Sequence, residues 1–160
     1  VEPDPCAGIM DITHSRWQQC RAFSQNVLGP IFRQTGPWDI FLHDSAHKVA
    51  CQTFEYECAW WFVRPGGLII SDDVCWGLDG GHAPEHGAWV AFCQRHGVTA
   101  FELGVARAVR KPEGSESCLP GYGESAERDR AIDAVVARAK VLAATAVANY
   151  NQRCSRRPIA

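Results

Sequence analysis

Two short apolar runs in this chain end in acid. WDIFL, residues 38–42, leads through His43 to Asp44, and LII, residues 68–70, leads through Ser71 to Asp72 and Asp73. If the runs are neighbouring parallel strands, all three carboxylates reach the same edge of the sheet, the edge at which open α/β sheets bind ligands. Like charges that close raise one another's pKa or demand a counter-charge. Oxygen donors of this kind suit Mg2+ or Ca2+ better than zinc, so a divalent cation is the economical reason to gather them. Taken singly, an Asp at a strand end caps a helix or turns the chain, and Asp44 before Ala46 suits an N-cap. The coincidence across both runs is what favours a site.

His47 stands three residues past Asp44, in the first turn of the helix expected there. A helix N-terminus lowers an imidazole pKa and nearby carboxylates raise it, which suits a general base near neutrality. The plain alternative is a surface histidine. His43 is expected to pack against a neighbouring strand. His82 and His86 have the spacing of metal ligands, but Pro84 between them argues against a rigid helical zinc pair.

The elements that must position these groups follow from period and punctuation. Trp38–Leu42 reads as a strand buried on both faces, after the Gly36-Pro37 breaker. From Ala46 to Phe62 apolar residues recur at helical intervals, with Gln52, Glu55 and Glu57 between them, until Arg64-Pro65-Gly66-Gly67 stops the helix. Leu68–Ile70 is then a second short strand, and the whole has the length of a right-handed βαβ crossover. Upstream, Arg21–Ser24 reads as a short strand and Val27–Gln34 as a helix. Downstream come a Gly- and His-rich loop, Trp76–Gly87, a helix Ala88–His96 closed by Gly97, and two strands hinged near Gly104. Residues 113–125 are loop or linker. A last helix, about Ala126–Asn149, aligns Ile132, Val135, Val136, Ala139, Leu142 and Ala146 on one stripe. The expected fold class is α/β, with a mostly parallel sheet ending in an antiparallel hairpin.

With 160 residues, 46% of them hydrophobic, the chain can bury one core. A net charge of −2 and the lack of a long Lys/Arg block give no footprint for nucleic acid or an anionic membrane. No apolar stretch has the length of a membrane span and no leader precedes the first residues, so a cytoplasmic location is expected. The 8 cysteines are scattered, without a C-x-x-C pair, and are expected to be mostly reduced core thiols.

GPWDIFLHDSAH, FEYECAWWFVRPGGLIISDDVCW and FCQRHGVTAFELGVARAVRKP together resemble the second half of a class I S-adenosylmethionine-dependent methyltransferase. The likeness is to bacterial small-molecule O-methyltransferases related to the cephalosporin hydroxylase and rhamnosyl methyltransferase group, and it spans roughly residues 15 to 112. Its most specific piece is Asp-x-x-His followed by Pro-Gly-Gly and the paired acids. The resemblance implies that Asp44, Asp72 and Asp73 ligate Mg2+ and that His47 is the catalytic base. It also implies that Glu2, Ser24, Asp44 and Trp76 line the S-adenosylmethionine pocket, with Glu2 at the ribose and Ser24 beside the adenine. The family's first strand and glycine-rich loop have no counterpart here, since PCAGIMD near the start has neither the glycines nor a preceding strand. The chain is expected to begin at the end of the family's second strand.

This reading divides the chain into a partial methyltransferase core, residues 1–112, a linker, 113–125, and a C-terminal helix and tail, 126–160. It expects methyl transfer to the hydroxyl of a small molecule, with no nucleic-acid or membrane partner and a homo-oligomer through the last helix as one form of assembly. Two alternatives stand beside it. One is a truncated or degenerate methyltransferase that serves as a non-catalytic binding or assembly module. The other is a metal-dependent enzyme of the same fold that does not transfer methyl groups.

Overall fold

The structure is a computed structural model that describes residues 20, 22–45, 48–72, 74, 84–115 and 126–155, with backbone only for 84–86 and 153–155. Its elements run α1 (Ser24–Thr35), β1 (Trp38–His43), α2 (Val49–Phe62), β2 (Val63–Ser71), α3 (Pro84–His96), β3 (Phe101–Leu103), β4 (Ala106–Arg110) and α4 (Ala126–Ser155). The strands form one sheet in the order β1-β2-β4-β3. As expected, β1, α2 and β2 make a crossover, with β1 parallel to β2. The other two pairings, β2 with β4 and β3 with β4, are antiparallel. The sheet is therefore mostly antiparallel, against the expectation of a mostly parallel one. After α3 the chain turns back at Gly104, whose φ of 63° is the left-handed conformation that glycine adopts freely. The second arm of that hairpin lies directly beside β2 and must run against it.

Several boundaries also move. Arg21–Ser24 is not a strand where it is described: Ser24 opens α1 and Phe23 is its extended N-cap. Residues 84–87, read as loop, belong to α3. α2 stops at Phe62, and Arg64-Pro65-Gly66-Gly67 lies inside β2 instead of ahead of it. A register irregularity between Trp38 and Ile40 accommodates those residues. A Cβ on Gly67 would come within 2.7 Å of the Asp39 carbonyl oxygen and 2.5 Å of Val63, so only glycine fits where the two strands close up.

The core lies on one side of the sheet. Ile69 and Val109 face Tyr56, Trp60, Trp89 and Phe92 of α2 and α3. Behind them Phe32, Phe54, Phe62, Ile132, Val135 and Ala139 join α1, α2 and α4, with the Phe32 and Phe62 rings stacked at 4.1 Å. On the other side Ile40 and Leu42 are 58% and 60% exposed, and Phe101 and Leu103 also stand in solvent. The register puts all four on one face, which no described element covers. Among the described residues β1 is thus an edge strand packed on one side, not two.

α2 is enclosed instead. Gln52, Glu55 and Glu57 are all buried, although their spacing reads as a solvent face. α4 covers the Phe54, Cys58 and Phe62 side of α2, while Glu55 meets the end of β1 and Glu57 meets α3. Glu57 accepts from Arg95 Nε and Nη2 at 2.8 and 2.6 Å and lies 3.1 Å from His96 Nε2. At the C-terminus of α2, Lys111 is fully buried. Its ammonium donates to the carbonyls of Trp60 and Val63 at 2.5 and 2.9 Å and sits 5.4 Å from the Trp60 ring centroid. A cation there satisfies carbonyls that the helix leaves open and complements its dipole.

The described cysteines, Cys20, Cys51, Cys58 and Cys93, are free thiols. Cys58 is buried as expected, whereas Cys20 is exposed, and burial pushes the Cys93 thiol up to about 11. No described helix is long and apolar enough to cross a membrane.

Two outcomes follow from the buried charges. Lys111→Met keeps the apolar stem but strips both carbonyls of their donor, and should cost about 3 kcal/mol in urea unfolding. Burial raises the Glu57 pKa, yet the bonds and charges of His96 and Arg95 outweigh it and hold the carboxyl below the ordinary glutamate value. A depressed folded-state pKa stabilises above the unfolded value and is lost as pH falls through the folded one. Unfolding measured from neutrality down to about pH 3 should therefore lose stability below about pH 4.3, and Glu57→Gln should flatten that part of the curve.

Candidate functional site

The parallel pairing of β1 and β2 runs to its last pair, His43 opposite Ser71. Asp44 and Asp72 come next on their strands, and the Asp72 amide donates to the His43 carbonyl at 3.0 Å. The two aspartates therefore leave the sheet side by side, about 4.8 Å apart in strand spacing. Asp44 is exposed and Asp72 half-buried.

A buried polar shelf lies behind them. His43 and Ser71 are both buried, and both are met by α2. Tyr56 shares a 2.6 Å hydrogen bond with the Ser71 hydroxyl, and its ring lies 5.0 Å from that of His43. Glu55 lies 3.4 Å from His43 Nε2 and accepts from the Ser45 hydroxyl at 3.1 and 2.9 Å. Consecutive residues of α2 thus tie down both strand ends and the turn that carries Asp44 away from β1. Among the described residues His43 packs on this helix, where the sequence had suggested a neighbouring strand.

Of the residues singled out from the sequence, the structure places Asp44 and Asp72 at adjacent backbone positions after the paired strand ends. Ser24 begins α1, next to Gln25, whose amide lies 4.0 Å from Cys51 Sγ in the first turn of α2. That contact sets the start of α1 at the same end of α2 as the aspartates. Asp73, His47, Glu2 and Trp76 lie outside the described residues, as do the side chains of His82 and His86. Among the described residues no three His, Cys, Asp or Glu side chains form a group that could hold a metal ion. Two carboxylates are nevertheless a donor set that Mg2+ accepts, since it keeps several waters and takes one or two protein carboxylates.

The sequence reading missed the shelf. Ser45, Glu55, Tyr56 and Ser71 carried no motif, and Glu55 fell on the side of the helix that looked wet. The one available signal was symmetry: each acid is preceded by a polar residue, His43 or Ser71, that ends an apolar run.

No family model and no curated protein matches the chain. It is similar to a solved structure of the MycE methyltransferase from the mycinamycin biosynthetic pathway in complex with Mg, SAH and mycinamycin VI. The identity is 22% over 62% of this chain and 32% of that one, with a TM-score of 0.43. A second structure of that methyltransferase, in complex with Mg and SAH, gives 21% identity over 61% and 32%, with a TM-score of 0.44. The chain spans about a third of the length of that protein.

The shelf yields its own prediction. Tyr56→Phe removes the bond to Ser71 without changing the ring and should lower unfolding stability by about 1 to 2 kcal/mol. The Ser71 and Asp72 amides should then exchange with deuterium faster than the Ile69 amide deeper in the same strand.

Proposed function

We propose that this chain carries the metal- and acceptor-binding part of a class I S-adenosylmethionine-dependent O-methyltransferase that uses Mg2+ and acts on the hydroxyl of a small molecule. The observation that carries the reading is the placement of Asp44 and Asp72 at equivalent positions on two paired parallel strands, locked by the Asp72 amide to the His43 carbonyl. The motif they belong to, Asp-x-x-His with Pro-Gly-Gly and paired acids, supports it further.

In this reading Asp44 and Asp72, with Asp73 after them, hold Mg2+. Bound there, the ion supplies positive charge beside the acceptor oxygen, which fixes its direction and lowers its pKa. His47 takes the hydroxyl proton as the methyl group passes from sulfonium sulfur to oxygen in line, the sulfur keeping the electron pair of the broken bond. Glu2 and Ser24 hold the ribose and adenine of the donor, and Trp76 stands beside it. The rigid shelf of His43, Glu55, Tyr56 and Ser71 keeps the two acids from spreading apart, so most of the rate gain comes from positioning.

A second reading, a binding or assembly module without catalysis, is favoured by one observation. The face carrying Ile40, Leu42, Phe101 and Leu103 is apolar and bare of any described element, and patches of that kind mark interaction sites.

Calorimetric titration with Mg2+, and with S-adenosylhomocysteine in its presence and absence, separates the two. The enzyme reading expects Mg2+-dependent cofactor binding that weakens at least about tenfold, or 1.4 kcal/mol, in Asp44→Asn and in Asp72→Asn. A folded chain that binds neither, or binds both equally well in the two variants, would sink it.

A further inference from the structure

A cavity of about 460 Å3 opens between α2, α3 and α4, and its walls include Trp60, Trp61, Arg95, His96, Ser115 and Arg138. It is remote from the aspartates. Trp61 stands twelve residues beyond Val49, which is about 18 Å along the helix axis at 1.5 Å per residue. We propose that this cleft binds the phosphate group of a small molecule, gripped by Arg95 and Arg138.

The charge balance favours an anion. Glu57 is the carboxylate of the cleft, and it is already engaged by Arg95 and His96. Against that one carboxylate among the described lining residues stand Arg95, Arg138 and, behind the Trp60 ring, the ammonium of Lys111. Of the lining groups left over, the Arg138 guanidinium and the Ser115 hydroxyl can both donate. Arg95 spends Nε and Nη2 on Glu57, and Nη1 makes no hydrogen bond among the described residues.

Arg138 is the more telling group. Arg33, Arg64 and Arg107 each meet a carboxylate. Arg138 meets none among the described residues, and its guanidinium lies 5.9 Å from the Trp61 ring centroid. The indole holds the cation beside the cleft without consuming its hydrogen bonds, which lowers the ordering cost of binding. A planar carboxylate fills one guanidinium fork. Two guanidiniums from separate helices, with the Ser115 hydroxyl on a third side, suit a tetrahedral dianion better.

The phosphate can be the free ion or can be carried on a flat body that covers Trp61, and the experiment distinguishes them. Thermal unfolding is followed with inorganic phosphate, phenyl phosphate, benzoate and, at matched ionic strength, chloride. Inorganic phosphate should raise the midpoint above chloride with a half-effect in the millimolar range. Tighter binding of phenyl phosphate assigns the site to a carried phosphate, and equal binding to the free ion. Arg138→Gln, at an exposed position, should weaken both at least about tenfold while leaving Mg2+ binding at Asp44 and Asp72 unchanged. Trp61→Leu should weaken phenyl phosphate more than inorganic phosphate if the phosphate is carried, and both alike if it is free. Arg95 is a poor probe, because removing it leaves Glu57 buried without its cation. The proposal fails if phosphate acts no better than chloride, if benzoate matches phenyl phosphate, or if Arg138→Gln binds phosphate as the parent chain does.

Discussion

The register of β1 on β2 is the constraint from which the rest of this structure follows. With His43 opposite Ser71 and the Asp72 amide bonded to the His43 carbonyl, the strands finish level and the acids emerge together. A slip of β1 by one residue against β2 would turn His43 away from α2 while Ser71 stayed, and would put an apolar side chain of β1 beside Glu55 and Tyr56. Register and shelf therefore specify each other. The polar shelf is satisfied only if the strands end level, and the strands are held level partly because the shelf must be satisfied.

α2 imposes this at a cost. Surrounded by the sheet, α3, α4 and α1, it cannot hide polar groups in water, so each one it carries needs a partner inside the protein. Glu55 has Ser45 and His43, Glu57 has Arg95 and His96, and the last carbonyls have Lys111. Gln52 is the exception: it is fully buried, and neither atom of its amide makes a hydrogen bond. An unmade pair of that kind costs on the order of 1–3 kcal/mol per group. It falls in the first turns of α2, at the end that faces the aspartates.

The sequence was legible wherever the determining contact was local. The crossover, the hairpin at Gly104 and the helix closed at Gly97 are set by punctuation and period, and each stands close to where those signals place it. The acids were legible because they follow apolar runs. What could not be read depends on partners distant in the chain. Nothing around Glu57 announces Arg95 and His96 on another helix, and nothing near Ile40 tells which face of β1 stays open. Pro65 and the glycines after it looked like a stop signal, yet they lie within a strand, and the close approach of Gly67 to the Asp39 carbonyl needs its missing side chain.

That open face bears on how the sheet is completed. Parallel crossovers bury both faces of their strands as a rule, and all the packing described here lies on one. Ile40 and Leu42 continue across the register into Leu68 and Ile70 and on to Phe101, an apolar band in which Ala108 is already buried and Arg110 stands opposite Leu68. At one end of β1 the Asp39–Arg64 pair, at 2.6 Å, puts charge on the edge, a common guard against chance strand pairing. The guard leaves Ile40 and Leu42 exposed. At roughly 25 cal/mol per Å2 of apolar surface, covering the exposed side chains of this band would add hydrophobic stabilisation. The strands that present the acids therefore also present the surface on which a further layer would pack.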